Sequence, residues 1–306
     1  MQKQIIIAGP TASGKTSLSI RIAKELNAEI ISVDSRQCYK YLDIGTAKPS
    51  AEELALVKHH NISIFEPDKQ DSVADFKNRA DRYTADIESR GKRVLFCGGS
   101  TLHLQSLIHP LDDIPSSNKE NIEKLNKQAD EKGIEELYKL LLKTDPKYAA
   151  KMDGKNRQRI IRALDVWQQT GKPFSSYHSE KPFHLPENMA LFVLHHPRKV
   201  LHQRIEKRTD GMFTAGVVQE TKRILEMGFS GSEQAMQTVG YKEILEFLDG
   251  RITEQKMIEN AKTSTRRYAK RQITWYRRWP FATILDMSTL SEGEAVARVT
   301  DALGSD

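Results

Sequence analysis

Residues 4–16 read Gln-Ile-Ile-Ile-Ala-Gly-Pro-Thr-Ala-Ser-Gly-Lys-Thr, a short apolar run leading straight into a glycine-bracketed loop. The run Gln4–Ala8 predicts a buried strand. Residues 17–26, with Leu18, Ile22 and Leu26 on one stripe, predict a helix. Between them Gly9, Pro10, Thr11, Ala12, Ser13, Gly14, Lys15 and Thr16 fit the spacing GxxxxGK[ST]. Glycines let the backbone wrap an anion, and the following helix turns its positive end toward it. Lys15 supplies a point charge and the Thr16 hydroxyl can ligate Mg²⁺. The pattern predicts a diphosphate or triphosphate site. It leaves open whether phosphate is transferred or simply leaves.

Working outward, strand and helix signals alternate. Glu29–Val33 predicts a second buried strand ending at Asp34, Ser50 with Glu53 a capping box, residues 62–65 a short strand and residues 73–89 a helix. Arg93–Cys97 predicts another strand, stopped by Gly98-Gly99. Such alternation implies an α/β fold with a parallel sheet covered on both faces. From Pro115 to about Glu180 no strand signal remains. Ser117 with Glu120, and Asp145-Pro146, can start helices, and residues 154–170 place Ile160, Ile161, Leu164 and Trp167 at helical spacing. The expected organisation is a core of residues 1–112 and 186–306 with an all-helical insertion at 113–185. The core resumes with a strand at 190–194, a helix from Pro197 through Arg208 and a last strand at 282–285.

The 306 residues are 38% hydrophobic and 29% charged, with a net charge of +6. That composition supports a packed core with a charged surface, and a mild positive balance that permits a polyanionic partner. No apolar run reaches the ~20 residues of a membrane helix. The first residues lack the pattern of a secretory signal, so a cytoplasmic location is expected. Cys38 and Cys97 are expected to be packed thiols, and the adjacent pairs His59-His60 and His195-His196 are poorly spaced for metal ligation.

Asp34, at a strand's C-terminal end, is expected on the rim of the binding crevice, as outer magnesium partner, general base or loop cap. Ser35, Arg36 and Gln37 follow in a polar loop. Gly98-Gly99-Ser100-Thr101 brings hydroxyls to the same edge. Arg204 and Arg208, four apart, share a helix face and can fork phosphate oxygens, or can equally form an ordinary solvated face. Residues 263–279 interleave Arg266, Arg267, Lys270, Arg271, Arg277 and Arg278 with Tyr268, Trp275, Tyr276 and Trp279, without an acidic residue. Charge clustering of this kind suits a nucleic-acid backbone. Lys155, Arg157, Arg159 and Arg162 add a second basic patch.

These residues resemble one family, the tRNA dimethylallyltransferases, also called tRNA isopentenyltransferases. The resemblance runs through GPTASGKT (9–16), SVDSRQCYKYLDIGTAKP (32–49), CGGS (97–100), NRQRIIRALDVWQQTGK (156–172), RIEKR (204–208), VGYKE (239–243) and KRQITWYRRW (270–279). One block departs: where the family usually has Gly-Gly-Thr-Gly/Met-Leu-Tyr, this chain has Gly98-Gly99-Ser100-Thr101-Leu102-His103. Ser100 and Thr101 both offer a hydroxyl there.

The resemblance implies a P-loop NTPase-like core and attack by N6 of adenine 37 in tRNA on C1 of dimethylallyl diphosphate, with diphosphate leaving. The loop Gly9–Thr16 would hold the diphosphate; Lys15, Arg208 and Mg²⁺ on Thr16 would neutralise it. Asp34 would act as general base, with Ser100 or Thr101 at the reacting centre. Asp34, Ser35, Arg36, Gln37, Gln158, Arg159, Ile160, Ile161, Arg162, Lys270, Arg271 and Gln272 would contact the anticodon stem-loop. The absence of a C-terminal zinc finger implies the bacterial type, and a monomer is the simpler expectation. A phosphate-loop kinase and a prenyltransferase acting on free AMP are the rival enzymes. A nucleotide-gated RNA-binding module is the rival without chemistry.

Overall fold

The computed structural model describes residues 2–178 and 184–303. Six parallel strands form one sheet: β1 (Gln4–Ala8), β2 (Ala28–Val33), β3 (His59–His60), β4 (Arg93–Gly98), β5 (Met189–His195) and β6 (Thr283–Asp286), in the order β3-β2-β4-β1-β5-β6. The α/β class expected from the alternation is the observed one.

Strand β1 shows why the apolar run is continuous. Ile5 and Ile7 face one core layer with Leu18 and Ile22, while Ile6 and Ala8 face another with Phe76 and Leu104. A central parallel strand buried on both sides needs apolar residues at every position. On the first face lie α1 (Lys15–Glu25) and α13 (Glu292–Asp301). On the second lie α3 (Val73–Ser89), α4 (Thr101–Ile108) and the end of α12 (Glu254–Tyr276). No helix among the described residues is long and apolar enough to cross a membrane.

The strand expected at 62–65 is absent. Strand β3 is His59–His60, and the backbone of Ile64 and Phe65 instead bonds to Cys38 O. The loop after Asp34 captures this segment, whose alternation merely mimics a strand. The capping box at Ser50 forms as expected and opens α2 (Ala51–Leu56).

Backbone contacts divide the chain into two compact units, Pro110–Pro182 and the remainder. The end expected for the insertion abuts residues 179–183, which lie outside the described residues. The smaller unit comprises α5 (Lys119–Lys132), α6 (Ile134–Thr144), α7 (Pro146–Ala149), α8 (Arg157–Thr170) and a 3₁₀ turn (Phe174–Tyr177). Asn118, rather than Ser117, caps α5 by accepting from Asn121 N; asparagine is at least as good a cap as serine. Asp145 caps α7 ahead of Pro146, as expected. Helix α8 starts at Arg157, capped by Asn156, and not at Gly154, whose φ of 75° takes it out of helical geometry.

A further hydrophobic cluster lies in the larger unit. It joins Cys38, Tyr39 and Leu42 to α10 (Val217–Glu226) and α11 (Tyr241–Leu248), with Met257 of α12. It fixes the loop that follows Asp34. Helix α9 (Arg198–Thr214) runs beyond Arg208, where the sequence pattern had ended it, and packs on α12 through Leu201, Ile205 and Ala269.

Candidate functional site

The loop Gly9–Thr16 joins β1 to α1 at the C-terminal edge of the sheet. Gly14 has φ 94°, a left-handed conformation that any side chain would strain, and a Cβ there would lie 3.3 Å from Arg204. The first turn of α1 leaves amides without helical partners, aimed as an anion cradle requires. Side chains from distant segments hold the loop's backbone. Arg204 Nε donates to Ala12 O (2.7 Å), His196 Nε2 to Ser13 O (2.9 Å), and Gln272 Oε1 accepts from Thr11 N (2.9 Å). Arg204 therefore braces the loop. His196, unremarkable in the sequence, is a second brace.

Lys15 donates to Pro10 O at 2.8 Å and is half-buried. Burial, assisted by the nearby Arg208 guanidinium, pulls its pKa down to about 8, while Cys97 and Asp34 oppose the shift. Arg208 is itself pushed down by burial. Two half-buried cations facing one carboxylate, Asp34, suit a site that receives an anion. The charged form of Lys15 prevails below pH 8 and is lost above it. Affinity for inorganic pyrophosphate, measured by calorimetry, is therefore expected to fall as pH rises through 8. The loss attributable to Lys15 reaches about tenfold one unit above its pKa, and that component is absent in Lys15→Met.

Asp34 follows β2 on the same edge. Its Oδ1 accepts from Arg36 N (2.8 Å) and Gln37 N (3.3 Å), an Asx turn that leaves Oδ2 as the oxygen available to a ligand. Gln37, expected to read a partner, is spent on the protein. Its Oε1 accepts from Ser32 Oγ and its Nε2 donates to Thr46 O and Ala47 O.

The next turn is clamped from α10. Glu220, 4% exposed, accepts from the amides of Asp43 (3.0 Å), Ile44 (2.8 Å) and Gly45 (3.2 Å), and from Tyr241 OH. A Cβ on Gly45 would lie 2.4 Å from the Tyr241 ring. The DIGTAKP and VGYKE blocks are thus two halves of one packing unit, and Glu220 joins them without any sequence signal. Glu220→Gln turns an NH₂ group toward backbone donors. It is expected to destabilise the fold by about 2 kcal/mol, read from the urea midpoint.

At the end of β4, Ser100 N donates to Val33 O (3.2 Å), which sets Ser100 beside the residue preceding Asp34. Ser100 Oγ is 2.8 Å from His103 Nδ1. His103 is buried against Phe76, and burial pulls its pKa down to about 4, so the ring is neutral at physiological pH. Of the two candidate hydroxyls, Ser100 has an orienting partner, whereas Thr101 is the first residue of α4.

Two cavities open at this edge. One, of about 330 Å³, has Asp34, Arg36 and Arg208 on its polar side and Met212, Phe213, Val217 and Tyr268 among its apolar lining. The other, of about 700 Å³, is lined by Lys15, Thr16, Arg204, Lys207 and Arg208. Ala12, Arg208 and Met212 line both, so Arg208 stands between the phosphate-loop side and the Asp34 side. Neither Ser100 nor Thr101 lines them.

The expected RNA-facing residues separate into two groups. Lys270 and Arg271 on α12 are exposed, as are Arg267, Arg277 and Arg278; Gln158 and Arg159 are exposed on α8. Ile160 and Ile161 instead form the core of the smaller unit, as their helical spacing had indicated, and cannot present themselves to a ligand. Arg162 is tied to Asp165 and Pro115 O. Gln272 is 2% exposed and faces inward. Tyr276 and Trp279 belong to the sheet's core, and Trp275 packs against it; these aromatics are not stacking platforms.

The histidine pairs have protein partners: His59 Nδ1 meets Val57 O, His60 meets Glu29, and His195 lies 3.5 Å from Asp286. Cys38 and Cys97 are free thiols. Among the described residues no three histidines, cysteines or carboxylates converge to cage a metal. The Thr16 hydroxyl beside the phosphate loop suits an ion held mainly by phosphate oxygens and water.

Fold and site together define a phosphate-loop α/β protein carrying a helical unit. The IPP transferase family model matches residues 37–279. A tRNA dimethylallyltransferase of Clostridioides difficile is 44% identical over 92% of this chain and 91% of its own length; that of Carboxydothermus hydrogenoformans is 46% identical over 91% and 90%. The crystal structure of the full-length tRNA isopentenylpyrophosphate transferase from Bacillus halodurans superposes with a TM-score of 0.73 at 36% identity, covering 99% of this chain and 96% of that one. A eukaryotic dimethylallyltransferase, captured crystallographically acting on tRNA, superposes with a TM-score of 0.82 at 29% identity over 99% and 80%. This chain belongs to the IPP transferase family.

Proposed function

We propose that this protein transfers a dimethylallyl group from dimethylallyl diphosphate to N6 of adenosine 37 in tRNA, releasing diphosphate. The observation that carries the reading is the position of Arg208 between two cavities, one basic and lined by the phosphate loop, the other pairing Asp34 with an apolar wall. A donor with a charged head and a five-carbon apolar tail matches both. Phosphoryl transfer gives the apolar wall no purpose.

In this mechanism the C1–O bond of the donor breaks as N6 forms its bond to C1. Lys15 and Arg208 hold the departing diphosphate and offset its growing charge. Thr16 Oγ1 and diphosphate oxygens would hold Mg²⁺, which supplies further charge neutralisation when bound. Asp34 Oδ2 orients N6 and accepts its proton. Ser100, oriented by His103 and tied through its amide to Val33 O next to Asp34, lines neither cavity and is assigned to the shell behind Asp34. The target base must leave its stack, a cost of a few kcal/mol, offset by backbone contacts from exposed basic residues of α12 and from Gln158 and Arg159 of α8. Phosphate contacts of this kind release counterions, so tRNA binding weakens steeply with salt. The protein acts as a cytoplasmic monomer.

The test is a partition experiment with labelled dimethylallyl diphosphate and Mg²⁺, offering unmodified tRNA and AMP separately, and γ-labelled ATP without the donor. Label on tRNA alone supports the reading. Label on AMP, or phosphoryl transfer from ATP, replaces it with one of the two rival enzymes. Binding of tRNA without any transfer leaves a binding module.

A further inference from the structure

We propose that Gln272, whose place in a basic helix suggests an RNA contact, is a positioning residue that locks the phosphate loop to the Gly98-Gly99 turn. Its side chain is 2% exposed and both ends of its amide are engaged. Oε1 accepts from Thr11 N at 2.9 Å, and Nε2 donates to Gly99 O at 2.7 Å. One planar group therefore bridges the end of β1 to the end of β4, across partners 261 and 173 residues away in the chain. Tyr276, one helical turn on, repeats the bridge. Its hydroxyl lies 3.1 Å from Gly9 O and 3.2 Å from Gly99 O, in reach of a carbonyl from each turn. The two residues lie on the buried face of α12, while Lys270 and Arg271 lie on its exposed face.

The surroundings leave this amide no alternative role. A Cβ on Gly99 would fall 2.5 Å from Gln272 Nε2, so the turn is bare in order to admit the amide. Within the loop, Pro10 has no N–H, the N–H of Ser13 goes to Pro10 O, and that of Thr11 goes to Gln272. Pro10, Thr11 and Ser13 thus contribute no free amide to an anion; this stretch is fastened in place. Ala12, Gly14, Lys15 and Thr16 are left to form the cradle. Fastening matters because the turn at Gly99 leads into Ser100, beside β2 and Asp34. Gln272 sets the distance between the end of the site that holds diphosphate and the end that holds the acceptor. Misplacement of reacting groups by about 1 Å is enough to slow a reaction about a hundredfold.

The inference rests on the phosphate loop binding diphosphate, so the experiment reads that binding directly. Gln272→Leu removes both bonds at similar volume; Gln272→Glu keeps the acceptor for Thr11 N and loses the donor to Gly99 O. Tyr276→Phe removes only the second bridge. Calorimetric titration with inorganic pyrophosphate and Mg²⁺ is paired with tRNA binding by filter retention, and with thermal melts that report folding. The expected result is pyrophosphate binding weaker by about tenfold or more in Gln272→Leu and Gln272→Glu, and by a smaller factor in Tyr276→Phe. Affinity for tRNA should stay within twofold of wild type. Where transfer is measured, kcat falls and KM for the prenyl donor rises, while KM for tRNA is unchanged. Loss of tRNA affinity with normal pyrophosphate binding would overturn the proposal and make Gln272 an RNA contact. Lowered melting with both affinities intact would make it purely structural. Failure of the wild-type protein to bind pyrophosphate would instead remove the diphosphate reading on which the proposal stands.

Discussion

Asp34→Asn is expected to lower the single-turnover rate of prenyl transfer by about 10²–10⁴-fold while leaving tRNA affinity nearly unchanged. The choice of asparagine follows from the geometry. Oδ1 of Asp34 holds the amides of Arg36 and Gln37, and an asparagine oxygen can keep that turn. What asparagine cannot do is accept a proton from N6. Asp34→Ala removes base and turn together, so it should lose a similar factor in rate and also loosen the loop carrying Ser35 and Arg36. A rate for Asp34→Asn within about threefold of wild type would reduce Asp34 to a loop cap. The rate is best read by rapid mixing of enzyme–tRNA complex with labelled donor, because steady-state turnover can be limited by product release.

The second large effect is on the fold. Gly98 closes β4 against β2, and a Cβ there would lie 2.0 Å from Val33 O and 2.4 Å from its carbonyl carbon. The obstacle is backbone on a central strand, which cannot rotate away as a side-chain tip can. Gly98→Ala must part β2 from β4 at the crevice, where Asp34 and Ser100 emerge. We expect a loss of about 3 kcal/mol in the urea transition, at the upper end of overpacking penalties, with transfer activity falling further than stability alone explains. Gly91→Ala is the natural comparison. A Cβ at Gly91 meets no neighbour, so that variant answers only for the φ of 69°.

How far the sequence disclosed this molecule depends on the range of the interactions involved. The phosphate loop was legible because one contiguous motif dictates its own backbone, and Asp34 because a strand end in a parallel sheet faces the crevice. The core positions of β1 and β4 were legible as apolar runs, and those of β2 through Ile30, Ile31 and Val33. The two-residue β3 was not, since two residues have no periodicity, and its neighbours at 62–65 alternate without joining the sheet. For Ile160 and Ile161, helical spacing pointed to the core and the family motif to RNA; the structure follows the spacing. Gln272 sat in a run of basic residues, and nothing local revealed that its partners are Thr11 and Gly99. Glu220 was invisible for the same reason, its three amide donors lying 175–177 residues away. Polar groups that serve distant backbone leave no periodic trace.

The measurement that bears most directly on the central claim is nuclease digestion and mass analysis of unmodified tRNA after incubation with the protein, dimethylallyl diphosphate and Mg²⁺, with released diphosphate quantified in parallel. The account predicts N6-dimethylallyladenosine at position 37 and one diphosphate per modified tRNA, both lost in Asp34→Asn. Unmodified adenosine 37 alongside prenyl transfer to another acceptor, or diphosphate released without any adduct, would contradict it.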